Sequence, residues 1–204
     1  MVRSIAFLIF DGAEELDFVG PWEVLTYTGR LDPDTCRAFT VAEFGGEVRC
    51  AKGMRVVADY DFDNCPAADI VLVPGGIGTR TEVDNPRLVA FLEGLGAGCE
   101  VVTSVCTGAF LLERAGFLAG RRAVTHWASM DRLRALGTVE VTETRFVDEG
   151  RVITAAGVSA GIDMALYLVG RLWGPDLALR VQKGIEYFPE PPYADVALQQ
   201  AVES

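Results

Sequence analysis

The chain has little positive charge. Lys and Arg total 18 residues against 29 for Asp and Glu, which gives a net charge of −11, and the basic residues form no long run anywhere along the sequence. Nucleic acids and anionic membranes bind proteins through clustered positive charge. We therefore expect neither of them as a partner of this protein.

A long hydrophobic run is also missing. The apolar stretch near the N-terminus, residues 5–10, runs directly into acidic residues without a small-residue cleavage site. A membrane-spanning helix needs about 20 apolar residues, and a secretory leader needs a cleavage site. The sequence thus predicts neither a signal peptide nor a membrane span, and it favours a cytoplasmic protein.

Histidine and paired cysteine motifs are scarce. The chain has a single histidine, His126, and no C-x-x-C motif. Its five cysteines, an odd number, are widely spaced: Cys36, Cys50, Cys65, Cys99 and Cys106. This pattern argues against a disulfide framework and against a structural metal site. We expect reduced thiols and no bound metal.

Apolar residues, by contrast, are plentiful, since they make up 50% of the 204 residues. That content suits one well-filled domain over residues 1–204. Continuous apolar runs at 5–10, 69–74 and 100–105 are typical of strands buried on both faces of a parallel sheet. Helical patterns follow them at 15–28, 85–95 and 107–115. Alternating strands and helices predict an α/β fold with helices on both faces of the sheet.

Some antiparallel pairing is expected around this parallel sheet. Residues 37–44 and 54–58 are β-rich, and strands at 139–147 and 151–155 flank a turn at Asp148-Glu149-Gly150, which is a hairpin signal. Two last helices are predicted at 159–173 and 175–187. From about residue 189 a proline-rich tail is expected to cover the surface or a partner subunit, with no DNA-binding segment after it.

Cys106 stands between an apolar strand and an amphipathic helix. Gly108 allows close backbone approach at this turn, so the segment has the strand, turn and helix of a nucleophile elbow. Unpaired amides and the dipole of the following helix are expected to lower the pKa of the Cys106 thiol and leave it largely thiolate near neutral pH. The alternative is a small buried core residue, which we assign to the other four cysteines.

A glycine-rich turn, Gly75-Gly76-Ile77-Gly78, follows the second predicted strand. Ligands of open α/β sheets collect at the carboxyl ends of the strands, and glycines let backbone amides point into that crevice. The turn lacks the Lys-Ser/Thr of a phosphate-binding loop. We interpret it as an amide pocket for a negative charge, with an ordinary tight turn as the alternative.

Asp17 follows the first strand and therefore lies at the same edge of the sheet. Its apolar neighbours, Leu16, Phe18 and Val19, are expected to raise the pKa of its carboxyl and keep it partly protonated. The alternative is a solvated carboxylate at a helix start, an interpretation that suits Glu14 and Glu15.

These three stretches, in this order, resemble the ThiJ/PfpI superfamily of glutamine amidotransferase-like proteins. The resemblance implies a flavodoxin-like sandwich, a homodimer, a small-molecule substrate and no cofactor. It makes Cys106 the nucleophile and Asp17 the acid beside its sulfur. Amides of Gly76, with Gly75 and Ile77 beside it, and of Thr107 would form an oxyanion hole.

Finer motifs resemble one branch of the superfamily, which contains isonitrile hydratase and the amidotransferase-like domains of AraC-type regulators. They are L-D-F-V-G-P around Asp17, S-V-C-T-G around Cys106, T-H-W at 125–127 and G-V-S-A-G-I-D at 157–163. These motifs make His126, Trp127 and Ser159 possible site residues. Thr107 replaces the histidine that follows the nucleophile in PfpI-type proteases, so protease activity is not expected.

The branch implies hydration of an isocyanide to an N-substituted formamide, through a thioimidate on Cys106 with Asp17 moving the proton. Two alternatives remain open at this point. One is glyoxalase or deglycase chemistry on a small carbonyl compound, against which Asp17 counts because deglycase-like members usually carry glutamate there. The other is a sensing domain that binds a ligand or is oxidised at Cys106.

Overall fold

A seven-stranded sheet forms the centre of the computed structural model, which describes residues 1–192. The strands are β1 (Arg3–Leu8), β2 (Cys36–Ala42), β3 (Gly46–Arg49), β4 (Arg55–Ala58), β5 (Tyr60–Asp61), β6 (Ile70–Val73), β7 (Val101–Val105), β8 (Arg122–Ala123), β9 (Glu140–Val141), β10 (Phe146–Glu149) and β11 (Val152–Ala155). The central sheet has the order β10-β11-β7-β6-β1-β2-β5, whereas β3 pairs with β4 and β8 with β9 in two small ribbons.

The central strands are parallel, and only β10 runs antiparallel to its neighbour. In register, Ile5 of β1 lies between Ala38 of β2 and Ile70 of β6. Every residue of β6 and β7 is buried because helices cover both faces of the sheet, which explains their unbroken apolar sequences. The predicted flavodoxin-like α/β fold is therefore confirmed.

Seven helices connect and cover these strands within the described residues. They are α1 (Glu15–Leu31), α2 (Thr79–Glu82), α3 (Pro86–Gly98), α4 (Gly108–Arg114), α5 (Met130–Arg134), α6 (Ala160–Trp173) and α7 (Pro175–Gly184). Helices α1, α6 and α7 pack against one another, and α4 contacts α2 and α3. The chain enters α1, α2 and α4 after β1, β6 and β7, so the segments that carry Asp17, Gly75 and Cys106 all lie at the carboxyl edge of the sheet.

Helix boundaries differ from the predicted ones by a few residues. Helix α1 continues to Leu31 despite Pro21 in its interior, and α7 ends at Gly184 rather than at 187. The start of α3 agrees with prediction, because Pro86 is its first residue and the side chain of Asn85 accepts hydrogen bonds from the amides of Arg87 and Leu88.

The hairpin near residue 150 is present, but its first strand is shorter than predicted. Residues 140–141 leave the predicted strand to pair with β8, and β10 begins only at Phe146. Asp148 and Glu149 belong to β10 rather than to the turn, since they pair with Ile153 and Val152. The β-propensity of residues 139–147 did not show that the two ends of this segment pair with strands of two different sheets.

The predicted tail from about residue 189 lies mostly outside the described residues. A search of the helices within residues 1–192 identifies none that is long and apolar enough to cross a membrane.

Candidate active site

Cys106 occupies a strained turn between β7 and α4. Its φ of 57° lies in the left-handed region, which costs a residue with a side chain about 1 kcal/mol or more. The Cys106 amide donates to the carbonyls of Ala155 at 3.1 Å and Ala156 at 2.8 Å, and the Thr125 hydroxyl donates to the Cys106 carbonyl at 2.8 Å. These bonds to neighbouring segments hold the strained turn.

Gly108 is the residue that lets α4 begin directly behind this turn. A Cβ atom at this position would overlap the carbonyl oxygens of Val73 and Pro74, which belong to the backbone and cannot move aside easily. The close approach predicted at Gly108 is therefore confirmed.

Replacing Gly108 with alanine is expected to lower the free energy of unfolding by about 2 kcal/mol, because the added methyl group meets backbone atoms. Gly94→Ala is the matched control, since a Cβ there meets nothing within 4 Å in the middle of α3. That change should instead raise the free energy of unfolding by about 0.8 kcal/mol. Urea denaturation of both variants measures the difference, and equal effects would contradict the packing argument.

Asp17 lies in the first turn of α1 and is fully buried. Its Oδ2 accepts a hydrogen bond from the Gly75 amide at 2.8 Å, whereas Oδ1 is buried without a hydrogen-bond partner within residues 1–192. Burial raises the pKa of the Asp17 carboxyl to about 7, although the Gly75 amide opposes the shift. The raised pKa that the apolar neighbours predicted is confirmed, and the carboxyl can gain or lose a proton near neutral pH.

The thiol of Cys106 lies close to this carboxyl, and the two groups change each other's pKa. Burial, followed by the negative charge of Asp17, raises the pKa of the Cys106 thiol to about 12. The prediction of a largely ionised thiolate was therefore wrong. The amides of Thr107 and Val158 and the Thr107 hydroxyl do lower this pKa, but burial and a nearby carboxylate outweigh them.

Taken together, Cys106 and Asp17 behave as a pair that shares protons. Between the two pKa values, about 7 for Asp17 and about 12 for Cys106, the pair holds one proton. That proton lies mainly on sulfur, and the carboxylate beside it is ready to accept it. The arrangement suits a reaction in which Asp17 moves a proton between the thiol and a substrate.

The glycine-rich turn does not present its amides in the predicted way. The Gly75 amide is bonded to Asp17, and the Gly76 amide donates to the Thr107 hydroxyl oxygen at 2.9 Å. Neither amide is free for an oxyanion, so both glycines instead hold other site residues in place. Within residues 1–192, only the Ile77 amide of this turn lacks an acceptor.

A cavity of about 210 Å³ opens above the sulfur. This volume exceeds the roughly 150 Å³ of a cavity that holds benzene, so a small organic substrate fits. Five residues singled out from the sequence line it: Gly76, Ile77, Cys106, Thr107 and His126. Six more line it that the sequence did not indicate: Glu14, Thr79, Arg80, Ser129, Arg132 and Val158. Asp17 lies buried beneath this surface.

Comparison with known protein families assigns this chain to a family. Residues 3–171 match the family model described as the DJ-1/PfpI family. The chain belongs to the DJ-1/PfpI family. The resemblance drawn from the three motifs is thus confirmed.

Several members of the family are similar over most of this chain. Isonitrile hydratase of Pseudomonas putida is 38% identical over 193 residues, which are 95% of this chain and 82% of that protein. The HTH-type transcriptional regulator CdhR of Pseudomonas aeruginosa is 32% identical over 90% of this chain, which spans about half of the regulator, 54% of its length. A crystal structure of a ThiJ/PfpI family protein from Pseudomonas syringae matches with a TM-score of 0.89 and 31% identity, covering 99% of this chain and 85% of that one.

Among the three possible site residues, only His126 lies at the cavity of this DJ-1/PfpI protein. Its Nδ1 accepts a hydrogen bond from the Ala128 amide at 3.2 Å, which assigns the ring proton to Nε2. Burial lowers the pKa of the imidazole, so the ring is neutral at pH 7. His126 therefore offers one N–H donor.

Trp127 and Ser159 do not line the cavity. Trp127 begins a short 3-10 turn and is 61% exposed. Ser159 is exposed and accepts a hydrogen bond from Arg145 at 3.0 Å. Val158, one residue earlier, has a φ of 46° and directs its amide at the Cys106 sulfur. The segment 157–163 thus contributes to the site as predicted. The contributing group is the Val158 amide, however, and not the Ser159 side chain.

Glu14 and Glu15 are half-buried rather than solvated as expected. Glu14 lines the cavity and forms an ion pair with Lys52. Glu15 Oε1 accepts a hydrogen bond from the Lys52 amide at 2.7 Å, so both carboxylates anchor the loop that contains Lys52. The sequence offered no signal for this contact, which joins segments far apart in the chain.

The other four cysteines lie away from the cavity. Cys36, Cys50 and Cys99 are buried, Cys65 is half-buried, and all are free thiols. Within residues 1–192, no group of three or more His, Cys, Asp and Glu side chains is arranged to hold a metal ion.

Proposed function

We propose that this protein hydrates isocyanides, converting an isocyanide and water into an N-substituted formamide. The observation that carries the proposal is the buried Cys106 thiol beside Asp17, a carboxyl with a pKa raised to about 7. Similarity to an isonitrile hydratase over 95% of the chain supports the same chemistry. Shared ancestry does not by itself establish a substrate, so the proposal depends on the pair.

In the first step, Asp17 accepts the proton of the Cys106 thiol while sulfur attacks the terminal carbon of the isocyanide. Asp17 then gives that proton to the same carbon. An S–H bond is broken, S–C and C–H bonds are formed, and the product is a thioimidate on Cys106. The single proton held by the pair is sufficient for this step, because the proton that leaves sulfur is the one that bonds to carbon.

In the second step, water adds to the thioimidate. Its hydroxyl group bonds to carbon and its proton reaches nitrogen through Asp17, which gives a tetrahedral adduct. The C–S bond then breaks, the hydroxyl proton returns to sulfur through Asp17, and the formamide leaves. The resting thiol and carboxylate are restored.

The role proposed for Thr107 follows from its contacts with the sulfur and the glycine turn. Its amide and hydroxyl, together with the Val158 amide, lower the pKa of Cys106 and thus favour the thiolate that attacks and leaves. The Gly76 amide fixes the Thr107 hydroxyl, and the Gly75 amide fixes Asp17. The proposed reaction uses no cofactor. Two further predictions, that the protein is a homodimer and that it is cytoplasmic, stay predictions.

A sensing role is the second candidate, because the regulator CdhR is 32% identical over 90% of this chain. Such a domain would bind or be modified by its ligand without releasing a product. Carbonyl chemistry of the glyoxalase type would use the same thiol but form a hemithioacetal.

The test follows p-nitrophenyl isocyanide with the purified full chain and identifies the product by mass spectrometry. Multiple turnovers to the N-substituted formamide support the proposal. If the isocyanide is left unchanged, the hydratase proposal fails. Lactate from methylglyoxal without glutathione would then favour glyoxalase chemistry, and no turnover of either compound would favour sensing.

The pH dependence of kcat/KM should show the one-proton state of the pair. Below the Asp17 pKa of about 7, the carboxyl is protonated and cannot accept the thiol proton. We therefore expect kcat/KM to rise about tenfold per pH unit toward pH 7 and to level off above it. A rate that keeps rising to pH 10 would show instead that ionisation of the thiol alone limits the reaction.

A further inference from the structure

Two arginines, Arg80 of α2 and Arg132 of α5, line the cavity above Cys106. They come from segments 52 positions apart in the sequence and meet at one opening. The ion pairs within residues 1–192 include neither guanidinium, although the chain carries 29 acidic residues against 18 basic ones. Two arginines without an ion pair thus line a small cavity on an acidic protein.

The acidic group at this cavity does not neutralise them. Glu14 lines it too, but Glu14 is paired with Lys52. Asp17 is buried beneath the surface and has a pKa raised to about 7, so it is partly neutral at neutral pH. The net charge at the opening is therefore positive.

Further donors surround the same space. The guanidinium of Arg132 stacks over the Phe110 ring at 4.6 Å from its centroid, which restricts its position. His126 carries its proton on Nε2, and Ser129, which has a hydroxyl group, also lines the cavity. Arginine pairs well with planar carboxylates because its N–H groups match both oxygens.

We infer that the substrate carries a carboxylate, which Arg80 and Arg132 bind at the opening of the cavity while its reactive carbon faces Cys106. This inference rests on the proposed hydration of isocyanides for the identity of the reactive group. The substrate class is accordingly an isocyanide that bears a carboxylate, of about the size of a substituted benzene ring.

The first test compares 4-isocyanobenzoate with 4-isocyanobenzamide, which have nearly the same shape but differ in charge. The wild type is expected to show the higher kcat/KM for the benzoate. In the double variant Arg80→Gln/Arg132→Gln, the ratio of the two kcat/KM values should fall about tenfold, because exposed charge pairs each contribute up to about 1 kcal/mol. Added salt should also lower the wild-type ratio of kcat/KM for the benzoate to that for the benzamide, because salt screens exposed charges.

Arg37→Gln is the matched control, because it removes one positive charge from an exposed residue near the start of β2, at the opposite edge of the sheet. Its ratio should equal that of the wild type. A wild-type ratio at or below one, or a ratio unchanged in the double variant, would overturn the inference and leave isocyanide hydration standing.

A second measurement does not depend on turnover. Cys106 is alkylated with iodoacetate or iodoacetamide, and the modified peptide is quantified by mass spectrometry. Arg80 and Arg132 should raise the rate with iodoacetate relative to iodoacetamide, and the double variant should lower that ratio about tenfold. If neither isocyanide is hydrated but this ratio falls, the hydratase proposal fails and the anion site stands. An unchanged ratio rejects the anion site as well.

Discussion

Cys106→Ser is expected to lower kcat for p-nitrophenyl isocyanide by about a thousandfold or more. The serine hydroxyl is a much weaker nucleophile than a thiol, and the nearby carboxylate cannot make it comparable. Serine keeps the size and the backbone of the strained turn, where Cys106 is only 6% exposed. Turnover of the isocyanide, together with circular dichroism to confirm folding, measures the effect.

Cys65→Ser is the control for this prediction. Cys65 is half-buried, and its thiol donates to the Pro66 carbonyl, a bond that a serine hydroxyl can also make. We expect its kcat to match that of the wild type. Substantial turnover by the Cys106→Ser protein would exclude sulfur as the attacking atom and with it the thioimidate mechanism.

Asp17→Asn is expected to have opposite effects on activity and on stability. Asparagine keeps an oxygen for the Gly75 amide but cannot carry the proton between sulfur and substrate, so kcat should fall by about a hundredfold to ten-thousandfold. A buried neutral amide avoids the cost of burying the carboxylate charge. The variant should therefore unfold at a higher temperature than the wild type at pH 8.

The sign of the pH effect follows from the raised pKa of Asp17. Its pKa rises from an ordinary 3.8 to about 7 in the folded protein, so the folded state holds this proton more tightly than the unfolded state. Wild-type stability therefore falls as the pH rises from about 4 to about 7, and the loss is complete above that range. The stability gain of Asp17→Asn should grow over this window and stay constant at higher pH.

Thermal unfolding between pH 5 and pH 8 measures this difference. The control is Asp34→Asn, which removes the same charge from an exposed residue and should show no comparable growth of stability with pH. An Asp17→Asn protein with full activity would remove Asp17 from the proton path. A constant stability difference over the whole range would contradict the raised pKa.

The sequence predicted those features that depend on neighbouring residues. The apolar runs of β1, β6 and β7 indicate burial on both faces, and their alternation with helical patterns favours a parallel sheet. The turn around Cys106 was recognisable because a strand, a small residue at Gly108 and a helix follow one another directly. The short β8 and β9 gave no such signal, because two-residue strands have no periodicity to read.

Features that join distant segments escaped prediction. Gly75 and Gly76 were correctly placed at the sheet edge, but their amides turned out to be bonded to Asp17 and Thr107. Val158 faces the sulfur instead of Ser159 because its backbone adopts a φ of 46°. Neither result can be read from residue types, since each depends on how two loops meet.

The sequence by itself determined the α/β fold and the elbow around Cys106, because both follow from the character of adjacent residues. It also indicated a raised pKa for Asp17, although the burial that causes the shift is set by the tertiary structure. Only the tertiary structure decided the protonation of Cys106. Its burial and the negative charge of Asp17 together outweigh the amides of Thr107 and Val158. The presence of Arg80 and Arg132 at one cavity likewise depends on the tertiary structure, which places α2 and α5 beside the same cavity as Cys106. The physical reason is the same in both cases: charge and solvation depend on distances through space, and the order of residues does not specify those distances.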